Sequence, residues 1–283
     1  MDGLARRGYT GDAGSFEGER EGPTKIAITG GTGRIGGRVT RLLAGDGRHD
    51  VVPLSSRSAP YDDPEALRRA LDGIDTLVFV SSDGEAARVV VHHQNVLNAA
   101  ARCGVGHIVL LSGLDVDLDS PFCYAFTNGH NERSLRASGC RFSIVRASVY
   151  TEFLLDLLRK AAVGGTVALP AGAARVSPVA REDVARCLAA LALRAPTGRH
   201  HDVTGPRSLP VGEIAAMAGY RYAQTTPAEF AATLLRRGEE PWWAYAYTGM
   251  LASMRQGRWA KAPGAVTELT GRPPLSVRDL LGG

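Results

Sequence analysis

Several things are scarce in this chain of 283 residues. Its four cysteines, Cys103, Cys123, Cys140 and Cys187, lie far apart with no Cys-x-x-Cys pair. That excludes a disulfide framework and a thiolate metal site. Apolar neighbours around most of them point to buried free thiols, as suits a reducing cytoplasm. No apolar run approaches the ~20 residues of a membrane span. Arg6-Arg7 has no apolar core behind it, so no signal peptide is expected. An excess of one charge is also missing: 33 Lys and Arg stand among 29 Asp and Glu, for a formal net charge of +4. With no basic run interleaved with aromatics, nucleic-acid binding is not expected. The mild positive field still favours an anionic cofactor.

What is present is a chain 44% hydrophobic, enough to bury a full core in one α/β domain with a smaller lobe. Residues 1–23 are rich in Gly, Arg, Glu and Asp without periodicity, and are expected to be a disordered leader. From Lys25 the chain reads KIAITGGTGRIGGRVTRLL. An apolar run at Ile26-Ala27-Ile28 meets glycines at Gly30, Gly31, Gly33, Gly36 and Gly37. Ile35, Val39, Leu42 and Leu43 follow at helical spacing. Gly31-x-Gly33-x-x-Gly36 between a strand and a helix matches the dinucleotide fingerprint in its required context. Glycine lets the backbone approach a pyrophosphate, and the helix start offers unpaired N–H donors and the positive end of a dipole.

Strand and helix then alternate. Asp50 to Leu54 is a strand which Pro53, lacking a ladder donor, sends to a sheet edge. Asp63 caps a helix with Pro64 at its first position, running through Leu67 and Leu71 to Gly73. Asp75 to Val80 is the third strand. A helix follows with Val89, His93, Val96, Leu97 and Ala100 on one face. His107 to Leu111, a helix from Tyr124 to Ser138, and Phe142 to Val145 continue the pattern. This predicts a Rossmann-type, doubly wound parallel sheet, shortened at its second-strand edge because no further helix and strand fit before Asp63. The expected division is a nucleotide-binding core over residues 24–150, with the remaining sheet elements and a C-terminal substrate lobe over 151–283. In the second half Phe153, Leu154, Leu157, Leu158 and Ala161 form one apolar face, and Val184, Cys187, Leu188 and Leu191 another. His201 to Thr204 is a last strand, and Thr226 to Glu229 a capping box. Trp242, Trp243, Tyr245 and Tyr247 cluster before a further helix. They belong to core or lobe packing first and to a substrate pocket second.

Ligands in such sheets bind beyond the carboxyl ends of the strands. The candidate cofactor residues are therefore Gly30, Thr32, Gly33, Arg34, Ile35 and Gly36 in the first turn, then Arg57, Ser81 and Arg146 after later strands. A site for NAD places an acid about 20 residues beyond the glycines. Here the strand ends Leu54-Ser55-Ser56-Arg57. Arg57, with Arg34, suits a 2′-phosphate instead, so NADPH is expected in preference to NADH. His92 and His93, adjacent on a helix, point in different directions and are structural; no metal site is expected.

Beyond the fingerprint come His93-Gln94-Asn95 before Ala99-Ala100, Val105-x-x-Ile108-Val109 before Leu111-Ser112, and Glu132-x-x-Leu135-x-x-Ser138-Gly139. Ile144-Val145-Arg146, Tyr150-x-Glu152, Asp183-Val184-Ala185, Thr204-Gly205-Pro206 and Leu269 to Pro274 complete the set. Together they resemble the atypical short-chain dehydrogenase/reductases, in the NmrA-like, NAD(P)H:quinone-oxidoreductase-like branch. The resemblance runs from Lys25 to the C-terminus. It implies an NAD(P)-binding Rossmann domain whose small C-terminal lobe closes a substrate cleft, and a small-molecule substrate, with a homodimer left open. Two departures lie on the adenine side. Relatives carry an extra helix and strand before the Tyr61-Asp62-Asp63 stretch, and many have an acid where this chain has Pro60.

Reductases of that wider superfamily pair a tyrosine with a lysine four residues on. The matching positions here hold Tyr124 and Asn128. Asparagine can bond a ribose hydroxyl but brings no charge. A tyrosine at its ordinary pKa of about 10 can donate a proton but is a poor base near neutrality. Ser112 at its strand end is the candidate donor to an acceptor carbonyl. A quinone, whose reduction product is a stabilised anion, fits this set better than a simple ketone does. The expected function is an oxidoreductase carrying hydride from NAD(P)H to a quinone-like acceptor, with Tyr124, Ser112 and Asn128 at the reacting end. An NADP(H) sensor without turnover, or a non-redox tailoring enzyme on the same fold, are the alternatives. Turnover with simple quinones separates them.

Overall fold

The computed structural model describes residues 23–45, 47–82 and 84–282. The leader expected over residues 1–23 lies, but for Pro23, outside the described residues. The first half alternates strictly. β1 (Lys25–Ile28), α1 (Gly36–Ala44), β2 (Asp50–Pro53), α2 (Pro64–Leu71), β3 (Thr76–Phe79), α3 (Ala86–Arg102), β4 (His107–Gly113), α4 (Cys123–Ala137) and β5 (Phe142–Ala147) follow one another. Then come α5 (Thr151–Ala161), β6 (Ala162–Val163), β7 (Thr166–Leu169), β8 (Arg175–Val176), α6 (Arg181–Ala192) and β9 (His200–Val203). The chain closes with β10 (Leu209–Pro210), α7 (Val211–Met217), β11 (Arg221–Gln224), α8 (Pro227–Arg236), α9 (Pro241–Arg255), α10 (Val266–Thr270) and α11 (Val277–Leu281).

The main sheet has six parallel strands in the order β2-β1-β3-β4-β5-β9. A parallel sheet must be covered on both faces, and alternate residues supply two cores. Ile26, Ile28, Val78, Val109 and Val145 face Val39, Leu43, Val184 and Leu188 of α1 and α6. Ala27, Leu77, Phe79, Ile108, Leu110 and Ile144 face Leu67, Leu71, Leu97 and Leu135 of α2, α3 and α4. Each fully buried aliphatic chain contributes about 1.5–3 kcal/mol. As Pro53 predicts, β2 is an edge strand. Asp63 caps α2, its carboxylate accepting from the backbone N–H groups of Glu65 and Ala66 at 3.0 and 2.9 Å.

The second half builds the lobe. A three-stranded sheet in the order β11-β7-β6 and helices α5, α7, α8 and α9 enclose a third core around Leu154, Leu157, Phe230, Leu251 and Met254. Before that, α6 and β9 return to the main sheet, β9 pairing parallel to β5. Buried Asp115, in the loop after β4, ties the two parts together. Its carboxylate accepts from Ser253 of α9 at 2.5 Å and from Ser120 at 2.6 Å, and Trp259 Nε1 donates to Ser253 Oγ at 2.8 Å.

Three expectations need correction. Leu42 is exposed, because at the end of α1 it lies off the stripe of Val39 and Leu43. Of the four cysteines only Cys187 is buried, the other three being partly exposed at helix ends and loops. The aromatic cluster lies inside α9, not before it.

Candidate active site

The first turn is shaped by close approach. Gly30 has φ +59°, a left-handed conformation that favours glycine. A Cβ on Gly36 would fall inside the carbonyl oxygen of Gly30, and one on Gly31 would stand 2.7 Å from Pro53 of β2. Gly31 N–H donates to Leu54 O and Gly33 N–H to Gly30 O, both at 2.8 Å. The backbone N–H groups of Thr32, Arg34, Ile35 and Gly36 have no partner among the described residues. Unpaired donors at the start of α1 make a cradle for an anion.

The turn forms one end of a cleft of about 730 Å³, between the carboxyl ends of the strands and α9 of the lobe. Its two ends differ in chemistry. At the turn stand Arg34 and Arg181, and neither guanidinium has an ion pair or hydrogen bond among the described residues. The far end is aromatic. Tyr124 stacks on Trp243 at 6.3 Å, Trp243 on Tyr247 at 5.8 Å, and Tyr247 meets Phe153 at 5.4 Å. Phe122 and Trp259 close that end. No Asp or Glu is among the described residues that line the cleft.

Of the residues singled out from the sequence, Gly30, Gly33, Arg34, Ile35, Gly36, Ser81, Ser112, Tyr124 and Asn128 line this cleft. Thr32, Arg57 and Arg146 do not. Thr32 and Arg57 are exposed beside the turn, at the ends of β1 and β2. Arg146 turns away behind the strand. Its Nε and Nη2 close on Glu132 at 2.8 and 2.7 Å. The bonds and charge of Glu132 outweigh the burial that opposes them, so the guanidinium is held above its ordinary pKa. Glu132 is buried and also accepts from Ser112 Oγ at 2.9 Å. Ser112 has one proton, and it points into the protein. Towards the cleft it offers lone pairs, so the donor role expected of it is not the one this geometry provides.

Tyr124 is similarly engaged. Its hydroxyl donates to Gly84 O at 2.6 Å and accepts from Gly84 N–H at 3.0 Å, which ties the loop after β3 to α4. Ser81 Oγ donates to Leu111 O at 3.0 Å. Asn128 faces the cleft beside Gly113, where a Cβ would collide with its amide nitrogen.

Other polar side chains of the lining have no hydrogen-bond partner among the described residues. Arg181, at the first turn of α6, has its pKa lowered by burial and by Arg34 and Arg38, against the opposing carboxylate of Glu152. Its guanidinium lies 5.3 Å over the ring of Tyr150. Tyr150 lines the cleft, and burial pushes its hydroxyl up to about 12. Ser82 Oγ and both ring nitrogens of His93 are buried with no hydrogen-bond partner among the described residues, and both residues line the cleft. Burial pulls His93 down to about 3, so its ring is neutral. The sequence did carry signals for two of these: Tyr150 stands in the Tyr-x-Glu motif, and Arg181 just before Asp183-Val184-Ala185.

A protein-family profile described as NAD(P)H-binding matches residues 30–195, more than half of the chain. This chain belongs to the NAD(P)H-binding family. Members similar to it include NAD(P)H azoreductase of Xenophilus azovorans, 27% identical over 90% of this chain and 96% of that protein. Another, from Streptomyces griseus subsp. griseus, is (4-alkanoyl-5-oxo-2,5-dihydrofuran-3-yl)methyl phosphate reductase, 30% identical over 90% of this chain and 95% of that one. Among solved structures, the NADPH-dependent quinone oxidoreductase of Escherichia coli, complexed with NADPH, superposes with a TM-score of 0.81. It is 25% identical, covering 91% of this chain and 98% of that chain. The NmrA-like, quinone-oxidoreductase-like branch named from the motifs is the one these relatives occupy. Among the described residues of this NAD(P)H-binding chain, no helix is long and apolar enough to cross a membrane.

Proposed function

We propose that the protein is an NAD(P)H-dependent oxidoreductase that reduces a planar, uncharged, quinone-like acceptor by hydride transfer, with NADPH preferred over NADH. The observation that carries the proposal is the division of the cleft into a cationic glycine-turn end and an uncharged aromatic end, with no carboxylate along the described lining. The first end fits a dinucleotide. The unpaired N–H groups of residues 34–36 suit a pyrophosphate, and Arg34 and Arg181 suit its charge. The second end fits a flat π-system, stacking it on Trp243 and Tyr247. A substrate carrying its own phosphate finds no cation there.

When bound, the reduced nicotinamide supplies a hydride. The glycine turn with Arg34 and Arg181 would hold the nucleotide, and the rings of α9 would position the acceptor and limit water at that end. Preference for NADPH rests on the absence of an acid in Leu54 to Arg57 and on two exposed cations, Arg34 and Arg57, beside the turn. The expected result is NADPH binding, followed by nicotinamide fluorescence, that is tighter than NADH binding and weakens on Arg57→Ala. NADPH oxidation in the presence of the naphthoquinone menadione should follow. Equal affinity for the two nucleotides would remove the NADPH preference, and binding without turnover would remove the enzymatic reading.

A further inference from the structure

Hydride transfer leaves negative charge on the acceptor oxygen, which calls for a hydrogen-bond donor at the reacting centre. The two hydroxyls that the motifs offer for it, Ser112 and Tyr124, direct their protons at Glu132 and at Gly84 O. Of the remaining donors, Ser82 holds its hydroxyl buried in the loop after β3, and His93 packs deep against Phe79 with ring centroids 5.2 Å apart. Asn128, like Ser82, is uncharged.

Tyr150 is placed differently. It stands at the carboxyl end of β5, where it precedes α5 as its N-terminal flanking residue. On one side is Arg181, which belongs with Arg34 to the cationic end of the cleft. On the other, three residues on, is Phe153, which meets Tyr247 of the aromatic end. Tyr150 thus lines the cleft in contact with the cationic end, and the chain runs on from it within three residues to the aromatic end. Its hydroxyl has no hydrogen-bond partner among the described residues. The Arg181 guanidinium over its ring opposes the effect of burial by favouring negative charge near the phenol oxygen.

We propose that Tyr150, supported by Arg181, is the catalytic hydrogen-bond donor to the acceptor oxygen, forming the tyrosine–cation pair that α4 lacks. This rests on the oxidoreductase reading above. Tyr150 keeps its O–H bond throughout. It donates a hydrogen bond to the oxygen on which charge gathers as the acceptor gains two electrons with the hydride, and water supplies the one proton that balances the product. A phenol held above its ordinary pKa stays protonated at neutral pH, as a donor of this kind must.

The test compares the full-length protein with Tyr150→Phe, using NADPH and menadione. The hydroxyl has no hydrogen-bond partner among the described residues, so its removal should leave thermal stability unchanged. The expected result is a fall in kcat of about 10²-fold, the usual cost of removing one donor from a developing oxyanion. NADPH affinity by fluorescence should not change, and the isotope effect with NADPH deuterated at its transferable hydrogen should rise. Wild-type kcat in Tyr150→Phe would overturn the proposal. So would a loss of turnover matched by an equal loss of NADPH affinity, which would make Tyr150 a cofactor ligand. Wild-type protein that binds NADPH but reduces no quinone would overturn the oxidoreductase reading itself, and this assignment with it.

Discussion

Ser112, Tyr124 and Arg146 show how little a residue's type says about its direction. Each ends a strand or opens a helix at the ligand end of the sheet, where such residues commonly meet substrate. Yet Glu132, a buried acid on α4, draws both Ser112 and Arg146 to itself. A buried carboxylate must be paired, so the pairing takes precedence over the cleft. The reverse holds for His93, whose ring nitrogens have no hydrogen-bond partner among the described residues. Its folded pKa of about 3 lies below the ordinary value of 6.5, so between these values the unfolded chain binds the extra proton. Its stabilising effect is complete above pH 6.5 and falls as the pH drops towards 3. From pH 7 to pH 5 that amounts to about 2 kcal/mol. Denaturant unfolding of wild type and His93→Phe at both pH values should show the variant losing less stability by about that amount. Burial lowers His92, His200 and His201 in the same direction, so the variant should retain a smaller pH dependence. An equal loss in both proteins would mean that the ring is protonated in the fold.

At the scale of the element, α9 is the part least legible beforehand. It is apolar on most sides, so periodicity could not say which face was buried. In the structure Trp243 and Tyr247, four residues apart, turn to the cleft, while Tyr245 is 56% exposed and packs on Trp242. The helix is held over the strand ends by Ser253 and Trp259 bonding towards Asp115, a contact across 138 positions that no local pattern announces. Trp243→Ala should lower kcat/KM for menadione about tenfold, the size of one lost aromatic stacking contact. NADPH affinity should be unaffected, because the nucleotide end lies at the glycine turn. Parallel losses of both would mean that α9 also covers the nucleotide. By contrast α1, α2 and α3 were legible from the single stripe each buries, and α2 also from its Asp63 cap and Pro64. The two-residue strands β6, β8 and β10 were not, because so short a run has no period to detect.

For the whole molecule, the cleft lies between the strand ends and α9, so a ligand filling it should stabilise both parts. NADPH at one hundred times its dissociation constant should add about 2.7 kcal/mol to stability, visible as a rise in the thermal midpoint. No shift would mean that the cleft does not bind the nucleotide. By itself, the sequence determined the doubly wound sheet, its truncated edge at β2 and the glycine turn. These follow from local chemistry: Pro53 has no donor for a neighbour, and Gly36 touches the Gly30 carbonyl. Only the tertiary structure decided which side chains face the ligand. The partners of Ser112, Tyr124 and Arg146, and the company of Tyr150 and Arg181, come from distant segments, and whether a polar group reaches the cleft depends on whether the fold has already satisfied it.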